Sequence, residues 1–158
     1  MINSFQEFEK KVDKCVEQAM KMTRDIMFEI VSQKVWDYYH EPVFRDGTSA
    51  EPVYYDRTGT LMESLTASNI SKVGGQYYFT VGFDDDYLTF KYPGNKGKKN
   101  IPATGYDVLT YFNDKSHGGT VAGEHRYWNE AIDEINTRYG SIGELFKKNL
   151  KATGLPID

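Results

Sequence analysis

Apolar residues return every three or four positions through Phe5, Phe8, Val12, Cys15, Ala19, Met22, Ile26 and Ile30, and Val35 and Tyr38 extend the run. That spacing lines one stripe of an α-helix. Ser4 followed by Glu7 is a capping-box pair at its start, and Pro42 stands where the helix must end. One helix over residues 4–39 is therefore expected, about 50 Å long. A compact domain built from 158 residues has a diameter of only about 40 Å. Such a helix either bends around the core or projects towards a neighbour. Cys15 falls on the stripe, which favours core packing over a reactive thiol.

The rest of the chain fits around that helix. Residues 40–57, with Pro42, Asp46-Gly47 and Pro52, read as a loop. Thr60 and Glu63 form a second capping pair, opening a short helix over 60–65 that buries Leu61 and Leu65. A sheet is expected over 66–92. Its hairpin turns at Gly74-Gly75, and Tyr77, Phe79, Val81 and Phe83 alternate onto one face. A further strand is placed at Tyr87–Tyr92 after an Asp84-Asp85-Asp86 turn. Residues 93–104, rich in Gly and Lys, read as a loop, and 106–112 as an element of uncertain type. The region 124–153 is helical, with Tyr127, Trp128, Ala131, Ile132, Ile135 and Tyr139 on its apolar side. Gly140 is expected to kink it, Ser141 with Glu144 to cap the helical turns beyond the kink, and Gly154 and Pro156 to end it. Strands grouped between helices indicate one α+β domain. It has a long N-terminal helix, a short antiparallel sheet of three or four strands with a hairpin, and a C-terminal helix packed on the sheet.

Composition narrows the function. Twelve Tyr, nine Phe and two Trp exclude a disordered chain and suit half-buried contact surfaces, although a Tyr-rich sheet face in a monomer gives the same count. A net charge of −4 gives general nucleic-acid binding no electrostatic support. The lone Cys15 excludes an intramolecular disulfide and fits a reducing compartment. No apolar run reaches the roughly 20 residues of a membrane span, and Met1-Ile2-Asn3-Ser4 does not begin a signal peptide. The Asn69-Ile70-Ser71 sequon is then fortuitous.

The groups that could carry chemistry are badly spaced for it. Asp84, Asp85 and Asp86 offer hard oxygen ligands, but consecutive strand residues point to opposite faces and rarely converge on one ion. His117 and His125, with Glu124, flank a glycine-rich loop without the tight spacing of zinc ligands. Lys91, Lys96, Lys98 and Lys99 with Gly94 and Gly97 do not form a phosphate-binding loop, and read as a solvated or partner-contacting segment. No cofactor and no catalytic or metal-binding residue is assigned, and the expectation is contact without catalysis. A small metal-dependent phosphodiesterase and a monomeric adaptor for a host protein are the competing readings.

Tyr55-Asp56-Arg57-Thr58-Gly59-Thr60-Leu61, with Ser64 after it, resembles the (Y/R)-x-R-T-G-x-L-x-x-S segment of tail-completion proteins of long-tailed bacteriophages, also called neck or tail-terminator proteins. In that family a long N-terminal helix precedes the segment, and a hairpin, a loop and a C-terminal helix follow. The resemblance implies a structural, non-enzymatic subunit of a ring, typically hexameric, joining tail tube to head connector. It further implies partners in itself, the tube and the connector, passage of DNA without specific binding, no membrane, and a place in the virion after assembly in the host cytoplasm. Arg57, Thr58, Gly59, Leu61, Lys96, Lys98 and Lys99 become interface candidates. Asp84, Asp85 and Asp86 become candidates to line the lumen, where negative charge lets duplex DNA slide. The V-E-x-G-T and A-R-P-F stretches of many members have only loose counterparts here, in Tyr87–Tyr92 and His125-Arg126-Tyr127-Trp128.

Overall fold

The computed structural model describes residues 4–40, 60–88, 90–92, 101–103 and 126–157. The expected loop 40–57 beyond His40, the element at 106–112 and residues 124 and 125 lie outside them. Helix α1 spans Phe5–His40 and α2 spans Thr60–Glu63. The strands are β1 (Leu65–Ala67), β2 (Ser71–Val73), β3 (Gln76–Tyr78), β4 (Val81–Phe83), β5 (Phe90–Tyr92) and β6 (Ile101–Ala103). Helices α3 (Tyr127–Tyr139) and α4 (Ile142–Ala152) close the described order. The α+β class expected from the sequence is the class observed.

Two caps form as their sequences predict. Glu7 N–H donates to Ser4 Oγ at 3.2 Å, and Glu144 N–H donates to Ser141 Oγ at 3.0 Å. At 36 residues α1 measures about 54 Å. Its exposed positions are largely Glu, Lys and Gln, which favour helix without any packing. Gly140, at φ 87°, together with the cap at Ser141, makes a break between α3 and α4 where a kink was expected.

The sheet differs from the single three- or four-stranded one anticipated. The strands form three two-stranded ladders, β1–β4, β2–β3 and β5–β6. Gly74 and Gly75, at φ 59° and 82°, supply the two left-handed residues of a tight hairpin turn. Ser71 then pairs with Tyr78, Lys72 with Tyr77 and Val73 with Gln76. Beyond Ser71 the register slips by one. Ser68 N–H donates to Thr80 O at 2.9 Å, and Asp84 N–H donates to Ser64 O at 2.8 Å. The extra residue lies in Ser68–Ile70, a bulge that divides each long run in two. Ser68 Oγ accepts from Thr80 N–H at 2.8 Å, doing there what a backbone carbonyl does in an unbroken ladder.

Other boundaries move for local reasons. The short helix ends at Glu63, before the expected 65, because Ser64 Oγ turns back to donate to Leu61 O at 2.8 Å and Leu65 enters β1. Tyr87 belongs to a turn and not to a strand. Asp84 Oδ1 accepts from the N–H groups of Asp86 and Tyr87 at 3.0 and 3.3 Å, so pairing restarts only at Phe90. Residues 101–103 leave the expected 93–104 loop to form β6, with Pro102 opposite Lys91. Each strand of a two-stranded ladder has an open edge, where a missing N–H costs no ladder bond.

Backbone contacts gather into two units that interleave along the chain. One draws on Met1–Ile30, Ala67–Val81 and Ile132–Asp158. Its buried residues are Cys15, Ala19, Thr23, Ile30, Val81, Ile135, Leu145 and Asn149. Here α4 packs along α1. Asn149 Nδ2 donates to Thr23 Oγ1 at 3.0 Å, and Thr153 O lies 3.9 Å from Cys15 Sγ. The second unit draws on Val31–Thr66 and Gly82–Ala131. Val31, Val35, Leu61, Ser64, Leu65, Leu88, Tyr127 and Ala131 are its buried residues. The first turn of α3 meets the β1–β4 ladder through Tyr127 and Phe83, whose rings sit edge to face with centroids 5.5 Å apart. The C-terminal helix expected to pack on the sheet instead meets it at the first turn of α3, through Tyr127, while α4 packs on α1.

Candidate functional site

A connected group of polar side chains on the first unit stands where β2–β3 meets α1. Because the Gly74-Gly75 turn sets Lys72 opposite Tyr77, both side chains share one face of the hairpin. Lys72 Nζ lies 2.6 Å from Asp13 Oδ2 and 5.0 Å from the centre of the Tyr77 ring. Tyr77 Oη donates to Asp13 O at 3.4 Å. The hydrogen bond that Lys72 donates, helped by Tyr77, holds the Asp13 carboxyl below its usual value, and the same bond to Asp13 holds the Lys72 ammonium above its own. The Tyr77 phenol is raised, first by burial and then by Asp13. Asp13 and Lys72 are thus driven further into their charged forms and away from the balance that proton transfer requires. The arrangement binds a hairpin to a helix. Half of it is legible in the sequence, since the glycine pair dictates the Lys72–Tyr77 pairing. Nothing local points to Asp13.

Beside it the surface carries uncovered apolar groups. Phe5 and Phe8, first on the α1 stripe, are 75% and 49% exposed. Val73 and Tyr78, on the hairpin face turned away from Lys72 and Tyr77, are 67% and 47% exposed. The stripe is therefore buried at Cys15, Ala19, Ile30 and Val35, half-buried at Met22 and Ile26, and open at its N-terminal end.

In the second unit Leu61 is 3% exposed and serves the interior. Ser64, the last residue of the motif, is also buried, with its hydroxyl on Leu61 O. Arg57, Thr58, Gly59, Lys96, Lys98, Lys99, His117 and His125 lie outside the described residues. Asp84, Asp85 and Asp86 are exposed, with Asp84 occupied in its own turn. Tyr87 Oη donates to Glu63 Oε2 at 2.9 Å, which raises the phenol's pKa and engages the carboxylate expected to cap α2. Among the described residues no three His, Cys, Asp or Glu side chains are grouped to hold a metal ion. No helix among them is long and apolar enough to cross a membrane.

No family model matches this chain, and neither a curated protein nor a solved structure does.

Proposed function

We propose that this protein is a structural subunit that works by contact, a ring-forming component of the tail-completion type which its Tyr55–Ser64 segment resembles. In this reading copies assemble between tail tube and head connector, and DNA passes through without being held. The supporting observation is the open end of α1. A helix about 54 Å long carries its apolar stripe past the part its own chain covers, leaving Phe5 75% and Phe8 49% exposed. Two phenylalanines repeated at helical spacing on solvent are a contact surface in search of a partner. The order of elements around the motif agrees with the same reading.

Deleting the gene from the genome that encodes the chain tests the proposal. Particles should then stop at separate DNA-filled heads and unjoined tails, and joining should return when the purified protein is added. Infectious particles without the gene, or a genome with no portal and tail-tube genes, would overturn it.

A further inference from the structure

Of the residues in β2 and β3 only Tyr77 is even half-buried. A two-stranded hairpin with nothing buried is marginal by itself. Its order on α1 therefore comes from its two ends. At the base, Arg24 Nη1 donates to Ser68 O at 3.0 Å, and there the register slips through the Ser68–Ile70 bulge. At the far end, Lys72 and Tyr77 both reach Asp13. Asp13 and Arg24 are eleven positions apart, about 16 Å along one side of the helix. The base is a backbone contact made by an Arg24 side chain only 14% exposed, whereas the far end is an ion pair whose side chains are 42% and 51% exposed. Bulges bend a strand and interrupt its ladder, which makes the base a natural pivot.

We propose that the β2–β3 hairpin is a hinged arm, pivoting at the Ser68–Ile70 bulge and latched to α1 by Asp13. Opening frees Lys72 and Tyr77, while Val73 and Tyr78 face solvent in either position. The arm is a property of the folded chain and stands independently of the assembly reading.

Amide hydrogen exchange tests it on the full chain. In Asp13→Asn and in Lys72→Met, amides of residues 71–78 should exchange about two- to five-fold faster, the range an exposed ion pair supports. Those of Ser68, Thr80 and residues 142–152 should keep their wild-type rates. Raising salt to about 1 M, where the screening length falls to about 3 Å and exposed ion pairs weaken, should produce the same local change in the unaltered protein. This second measurement needs no substitution and survives a variant that fails to fold. Unchanged exchange at 71–78 in salt and in both variants would overturn the proposal. So would acceleration spread equally to 142–152.

Discussion

Within one unit, two segments lie along α1 and are held by different means. On the side of Cys15, Ala19 and Thr23 the helix carries α4, with Leu145 fully buried and Asn149 bonded to Thr23 in the interior. On the side of Asp13 and Arg24, close to half a turn around from Cys15, it carries the β2–β3 hairpin through polar contacts at the surface. Burying a side chain such as Leu145 contributes about 1.5–3 kcal/mol, and leaving a buried donor unpaired costs a comparable amount. An exposed ion pair has neither the apolar area nor the desolvated surroundings to match this. The helix pair should therefore decide whether the unit folds, and the hairpin contact should decide only where the hairpin rests.

The most direct way to break that division is Leu145→Ala. It should destabilise the unit by about 2–5 kcal/mol, read as a lower midpoint in urea denaturation. A small effect there would mean that α4 is not the main support. Next in size is Thr23→Val. It removes the acceptor from the Asn149 amide without changing volume much, and should cost about 1–3 kcal/mol. Adding Asn149→Leu should then restore much of the loss, since both members of the buried polar pair have gone. A double variant as unstable as the sum of the two singles would show that the pair is not coupled.

Much of this side of the molecule can be read from the sequence, because periodicity and caps are local. The stripe through Cys15 and Ala19, the serines at 4 and 141, the Gly74-Gly75 turn and the alternation ending in Val81 all fall where short-range chemistry puts them. Thr23 escapes such reading. A polar residue between Ala19 and Ile26 makes sense only beside Asn149, which stands 126 residues away. Asp13 is likewise 59 residues from Lys72, and its contact depends on how the hairpin lies on the helix. The bulge has no glycine or proline to mark it, since the Ser68 side chain substitutes for backbone. Pro102 looked like a loop residue because only pairing reveals the open edge that tolerates it.

A smaller effect sharpens where the strong contact begins. Ser141 caps α4 through Glu144 N–H, next to the left-handed Gly140. Ser141→Ala should cost about 1 kcal/mol, with most of the helicity kept, by circular dichroism and urea midpoint. A loss as large as that of Leu145→Ala would mean that the cap sets the position of the whole helix and not merely its first turn.

The smallest effect on stability belongs to the hairpin side, and it is the one that separates the two contacts most cleanly. Lys72→Met keeps the apolar stem and removes the charge, so the urea midpoint should stay where it is while Asp13 changes its titration. The Lys72 hydrogen bond lowers the Asp13 pKa below 3.8, so the interaction is complete above that value and lost as pH falls through the depressed one. For Lys72 the sign is opposite. Its raised pKa keeps the pair complete up to 10.5 and loses it only as pH climbs through the higher value. The latch should therefore hold throughout the neutral range, and acid should release it by protonating Asp13. Carbon NMR of the Asp13 carboxyl reads this directly. The titration midpoint should lie below 3.8 in the unaltered protein and move up towards it in Lys72→Met. A midpoint that ignores the substitution would mean that Lys72 does not hold Asp13 in solution, and the hairpin would need another explanation for its place on α1.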